Sequence, residues 1–107
     1  MDSSIPSISV TDAAQKVHGD SVIFIDVRSP EEYREGHAAG THNVPIQELD
    51  AAHAAELKDN SEVYVICQSG GRSSVATAVL RSMGVNAINV EGGTSAWSTS
   101  GLPIEQN

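Results

Sequence analysis

Cys67 is the only cysteine in the chain, and it follows the apolar run 63–66 in the segment VYVICQSGGRSS. After it come Gln68, Ser69, Gly70, Gly71, Arg72 and Ser73, so two glycines and a guanidinium stand within five positions of a thiol. A sheet has no use for that combination, because glycine weakens a strand and adds no packing. A Gly-containing loop running into a helix suits other work. Its backbone N–H groups can curl toward one point, and the helix N-terminus adds positive potential there. Such a field favours the thiolate, which is the nucleophilic form of cysteine. A lone cysteine in a small domain is ordinarily an inert apolar filler; here the neighbours mark Cys67 as a nucleophile. That chemistry needs a thiol which reagents reach and amides turned toward it.

The surrounding side chains divide into contacts and scaffold. Arg72 carries a fork of donors that suits the oxygens of an anionic sulfur donor. Ser69 and Ser73 can donate hydroxyl hydrogen bonds to sulfur, although Ser73 reads first as a helix cap. Asp26, Arg28 and Glu32 read as scaffold. Arg28 and Glu32 are four apart around a helix start, a spacing that suits an ion pair, and Asp26 closes a strand. His37 and His42 form no metal-ligand spacing with Cys67, so zinc is not expected. His37 reads as a loop hydrogen-bonder and Trp97 as core.

Strands and helices alternate along the chain. Residues 8–10 read as a short strand, and Thr11 as the cap of a brief helix running to about Val17. The run 22–27 (VIFIDV) has the near-continuous apolar character of a strand covered on both faces. Ser29, Pro30 and Glu32 form a capping box for the next helix, which Gly36 stops. Residues 37–41 read as loop, 42–44 as a short strand, and 46–57 as a weak helical stripe. After the strand 63–66 and the cysteine loop, Ser73 or Ser74 is expected to start a helix through Met83, with Val75, Val79 and Met83 on one face. Residues 87–90 read as a strand, Gly92-Gly93 as a turn, and 94–99 as a helix bearing Trp97. This alternation predicts an α/β architecture with about five mainly parallel strands flanked by helices. In such sheets ligands collect beyond the carboxyl ends of strands, where Cys67 lies.

The whole chain sets the bounds. Its 107 residues suit one domain, 1–107, with residues 1–6 and 102–107 as loose ends. Fourteen acidic against six basic side chains give a formal charge of −8, which disfavours nucleic acid and anionic membrane as partners. An anionic substrate must then be drawn in by a local site. One cysteine excludes an internal disulfide and fits a reducing cytoplasm. The first residues carry neither a basic region nor a long apolar region, so no signal peptide is expected. No apolar run approaches the ~20 residues of a membrane span.

Three blocks resemble the rhodanese family. DVRSPEEYREGHAAGTHNVP (26–45) is similar to its Asp-x-Arg, Glu-aromatic, Gly-His and Asn-Ile/Val-Pro stretch. CQSGGRSS (67–74) is similar to its sulfur-carrying loop, and VEGGTSAWSTSGLPI (90–104) to its Gly-Gly, Trp and Gly-x-Pro ending. The resemblance implies a rhodanese-like fold and a catalytic persulfide on Cys67, with no cofactor. Cys67 to Arg72 is a Cys-x4-Arg loop, whereas related phosphatases and arsenate-handling enzymes resemble Cys-x5-Arg. The shorter loop implies a smaller cradle, suited to a sulfane sulfur. Gln68 stands where some members carry Arg, which weakens the case for thiosulfate and leaves other persulfide donors open.

The reading that follows is a thiosulfate sulfurtransferase-type enzyme, with Cys67 catalytic and the loop 68–73 binding substrate. Its partners would be a small anionic sulfur donor and a thiol or cyanide acceptor, with a monomer favoured. A second reading is a carrier that passes sulfur to a protein acceptor with little turnover of free thiosulfate. A third, a phosphatase or arsenate reductase, is opposed by the short loop and the missing second thiol.

Overall fold

The chain is described by a computed structural model over residues 5–106. In order, the elements are β1 (Ser7–Ile8), α1 (Val10–Lys16), β2 (Val22–Asp26), α2 (Pro30–Glu35), β3 (His37–Ala38), β4 (His42–Asn43), α3 (Ala51–Leu57), β5 (Glu62–Ile66), α4 (Gly71–Ser82), β6 (Ala87–Val90), α5 (Gly93–Thr99) and β7 (Ile104–Glu105). A short 3-10 turn at Ile46–Glu48 precedes α3. Five strands form one parallel sheet in the order β1-β6-β5-β2-β4. β3 and β7 form a separate antiparallel pair.

The side-chain alternation of the central strands builds two cores, one on each face. Val63 and Val65 of β5 join Ile25, Cys67, Ala76, Leu80 and Leu57 beneath α3 and α4. Tyr64 and Ile66 point to the other face, with Phe24, Val90, Val10 and Trp97 beneath α1 and α5. Trp97 packs its ring 5.4 Å from that of Phe24, and its Nε1 donates to Pro103 O. The expected α/β sheet, covered on both faces, is what the sequence folds into.

Several local expectations are corrected. The first strand ends at Ile8, and Val10 already opens α1. Ser9, not Thr11, is the cap: its Oγ accepts from Asp12 N at 3.2 Å, an arrangement that turns Val10 and Ala13 inward together. The stripe 46–57 is broken at Leu49-Asp50, where Asp50 caps α3 by accepting from His53 N. Residues 37–38 are not loop but strand. They pair with the C-terminal residues expected to be loose, with His37 opposite Glu105 and Ala38 opposite Ile104. Gln106 Nε2 donates to Glu35 O, so the tail is tied at a second point. Of the N-terminal residues expected to be loose, 1–4 lie outside the described residues, and Pro6 O accepts from Asn89 N.

The packed face of α4 also differs. Val75 is 57% exposed and Val79 is 38% exposed, while Ser73, Ala76, Thr77 and Leu80 are buried. Their spacing is a proper helical stripe, but two of its members are hydroxyl residues that an apolar count passes over. α4 begins at Gly71 with Gly70 as its cap (φ +116), earlier than Ser73. No described helix is long and apolar enough to cross a membrane.

Candidate active site

β5 ends at Ile66, and the next residue places its sulfur at the start of α4. Cys67 Sγ accepts from Gly70 N at 3.1 Å and lies 3.3 Å from Ser73 Oγ. Gly70 takes the left-handed backbone that aims this amide, a conformation side chains resist. Burial alone would raise the thiol pKa. The Ser73 hydroxyl and the amides of Ser73, Gly70 and Ser69 outweigh it, and the net shift is downward. The Gly70 amide is turned toward the sulfur, as thiolate chemistry requires. Access is narrower than the chemistry alone would suggest. Cys67 is 1% exposed, whereas Gln68, Ser69 and Gly71 above it are exposed, so a reagent meets the loop first.

Ser73 is not the helix cap. It is fully buried, lies 3.3 Å from Gly70 O, and donates to Asn89 Oδ1 at 2.6 Å as well as standing beside the sulfur. The carbonyl of Gly70 also accepts from Ser74 Oγ and Ser74 N, which closes the first turn without Ser73.

The charged residues pair differently from the expected Arg28–Glu32 contact. Arg28 turns inward, where its Nε and Nη2 grip Asp26 at 2.9–3.1 Å and Nη2 also donates to Gly36 O at 2.7 Å. This buried pair is an internal brace between the end of β2 and the end of α2. Glu32 instead completes the capping box with Ser29 and takes both terminal nitrogens of Arg72, at 2.7 and 2.9 Å. Arg72 holds its carboxyl down to about 2. The fork of Arg72 thus faces an acid, close enough to Cys67 for the thiolate to favour its charge.

Gln68 turns away from the sulfur. Its Oε1 accepts from Arg28 Nη1 at 3.0 Å, and its Nε2 donates to Ser95 Oγ at 2.8 Å. Beside it opens a cleft of about 680 Å³ lined by Arg28, Glu32, Glu35, Gln68 and the hydroxyl residues of α5, without Cys67 itself in the wall.

Residues 93–95, read from sequence only as a turn and helix start, hold the loop from behind. Thr94 N and Oγ1 both donate to Cys67 O, at 2.8 and 2.9 Å, and Ser95 N donates to Gln68 O at 3.0 Å. Gly93 allows the approach, since a Cβ there would lie 2.6 Å from Cys67 O and from Gln68 C and O. The Gly92-Gly93 pair after a strand was the available signal. Asn89 gave none, because its partner Ser73 comes from another element. His37 is buried, stacks on Tyr33 with centroids 3.6 Å apart and bonds Tyr33 O through Nδ1. No group of residues suited to hold a metal ion occurs among the described residues.

A parallel sheet with a sulfur cradled by amides at a strand end defines a class, and comparison with known proteins gives the family. Residues 9–100 match the model of the rhodanese-like domain, and the chain belongs to that family. It is 41% identical over 98 residues to the provisionally assigned sulfur carrier protein YrkF of Bacillus subtilis, covering 90% of this chain and 52% of the relative. The chain thus spans about half the length of that protein. It is 37% identical over 94 residues to the chloroplastic thiosulfate sulfurtransferase 16 of Arabidopsis thaliana, covering 77% and 78% of the two. Among solved structures, a rhodanese-related protein of Thermoplasma volcanium superposes with a TM-score of 0.85 at 32% identity, over 95% of this chain and 99% of that one.

Proposed function

We propose that the protein is a sulfurtransferase that carries a sulfane sulfur as a persulfide on Cys67. The observation that supports this reading best is the sulfur itself, set against Gly70 N and Ser73 Oγ with its pKa drawn down despite burial. The Cys67 thiolate attacks the outer sulfur of a donor; the bond from that sulfur to the rest of the donor breaks, and the remainder leaves with the electron pair. With thiosulfate the leaving group is sulfite. The intermediate, Cys67–S–S⁻, divides one transfer into two steps. Amides of the loop 68–73 would hold its charge as an oxyanion hole holds a developing oxyanion, where one donor is typically worth ~2.7–4 kcal/mol. An acceptor thiolate or cyanide then attacks the outer sulfur and returns Cys67 as thiolate. The acceptor must come from another molecule or another part of a longer protein, because the chain has no second cysteine.

Relatives named for thiosulfate sulfurtransfer and for sulfur carriage leave two forms of this reading, catalysis with free donors and delivery to a protein acceptor. Cyanide-dependent formation of thiocyanate separates them. Turnover with thiosulfate that Cys67→Ser abolishes supports the enzyme. Negligible turnover from a protein that still accepts one sulfur at Cys67 supports the carrier. Equal activity in Cys67→Ser removes both.

A further inference from the structure

The geometry points to a cleft that selects its sulfur partner by charge. It favours neutral and amine-bearing thiols and persulfides over doubly anionic donors such as thiosulfate, with Glu32 and Glu35 as the selecting residues. This inference rests on the sulfur-transfer reading and narrows its substrate class.

Two guanidinium groups stand near the cysteine loop, and each is already paired with a carboxylate. Arg28 is 3% exposed, and its donors are engaged by Asp26, Gly36 O and Gln68 Oε1. Arg72 gives both terminal nitrogens to Glu32, whose carboxyl stays ionised above about 2. The pair therefore persists at any working pH. On the rim of the cleft stands a second carboxylate, Glu35, which is exposed and has no paired cation among the described residues. Arg28 and Glu32 in the cleft wall are each taken by an ion pair, which leaves Glu35 as the wall's uncompensated charge, on a chain whose formal charge is −8. The Gly70 amide is already given to Cys67 Sγ. The opposite wall offers hydroxyls of α5, among them Ser95 and Ser98, which accept from an ammonium as readily as they donate.

In the step affected, a thiolate R–S⁻ attacks the outer sulfur of Cys67–S–S⁻. The S–S bond breaks, its electron pair returns to Cys67 as thiolate, and R–S–S⁻ leaves. Charge on R is the only difference between cysteamine, 2-mercaptoethanol and 3-mercaptopropionate that this cleft would read strongly.

The test uses the full chain, loaded on Cys67 with excess polysulfide and then discharged by each of these thiols. Rates are expressed per thiolate at low ionic strength. The expected order is cysteamine, then mercaptoethanol, then mercaptopropionate, with about fivefold between neighbours, the Coulomb factor for one charge at about 4 Å in water. Added salt should compress the series. Glu35→Gln should narrow it. Glu32→Gln retains a residue that serves at the third position of a capping box, yet frees Arg72. It should accelerate loading from thiosulfate at least fivefold. Equal rates for the three thiols, or a series unmoved by either substitution, would overturn the charge selection while leaving sulfur transfer intact. A Cys67 that takes up no sulfur, or holds it against every thiol, would instead remove the sulfur-transfer reading beneath it.

Discussion

Ser73 has one hydroxyl proton and three neighbours that compete for it: Cys67 Sγ, Asn89 Oδ1 and Gly70 O. With a neutral thiol the chain is satisfied, S–H donating to Ser73 and Ser73 to Asn89. A thiolate needs the hydroxyl turned toward it. Ser73→Ala should therefore raise the Cys67 pKa, and Asn89→Leu, which removes the strongest competitor, should lower it. The pH dependence of alkylation by iodoacetamide reads both. In the unsubstituted protein its midpoint should fall below that of free cysteine, while the limiting rate stays low because the thiol lies under the loop. Equal midpoints in all three proteins would show that the hydroxyl does nothing for the sulfur. The composition of this loop was legible in the sequence because its residues are consecutive. Ser73's orientation was not, since it depends on Asn89, sixteen positions away on β6.

At the scale of elements, α5 is the clamp on the cysteine loop. Gly93→Ala would place a carbon 2.6 Å from the carbonyls of Cys67 and Gln68, at a residue with φ +60. The loop must shift, at a cost of about 1–3 kcal/mol, and sulfur transfer should fall further than stability does. Chemical denaturation and turnover, measured on the same protein, separate the two effects. On α4, Thr77 Oγ1 is buried without a hydrogen-bond partner. Thr77→Val keeps the shape and removes that orphan, so stability should rise by about 1 kcal/mol, read as a higher urea midpoint. The order of strands and helices was readable from β-branched runs and from the Ser29 capping box, because these signals are local. The inner face of α4 was not, because Ser73 and Thr77 are polar by type and core by position. Nor was the β3–β7 pairing, which joins residues 37–38 to 104–105 across most of the chain.

Across the whole molecule, two ion pairs tie the sheet, α2 and the cysteine loop into one frame. The buried Asp26–Arg28 pair is the stiffer. Arg28→Ala would leave Asp26 charged and uncompensated, and should destabilise by about 3–5 kcal/mol. The Glu32–Arg72 pair is half-exposed and worth no more than about 1 kcal/mol. The folded protein depresses the Glu32 pKa, so this contribution is present above the ordinary carboxylate range and is lost as pH falls toward about 2. Urea midpoints of Glu32→Gln should lose less than those of the unsubstituted protein across that acid window; identical curves would contradict the pairing.

The persulfide on Cys67 is most directly tested by intact-mass measurement of the protein after exposure to a sulfane donor and again after an acceptor thiol. One additional sulfur, mapped to the Cys67 peptide and gone after the thiol, is the expected result. A chain that gains no sulfur, or gains it equally in Cys67→Ser, would contradict it.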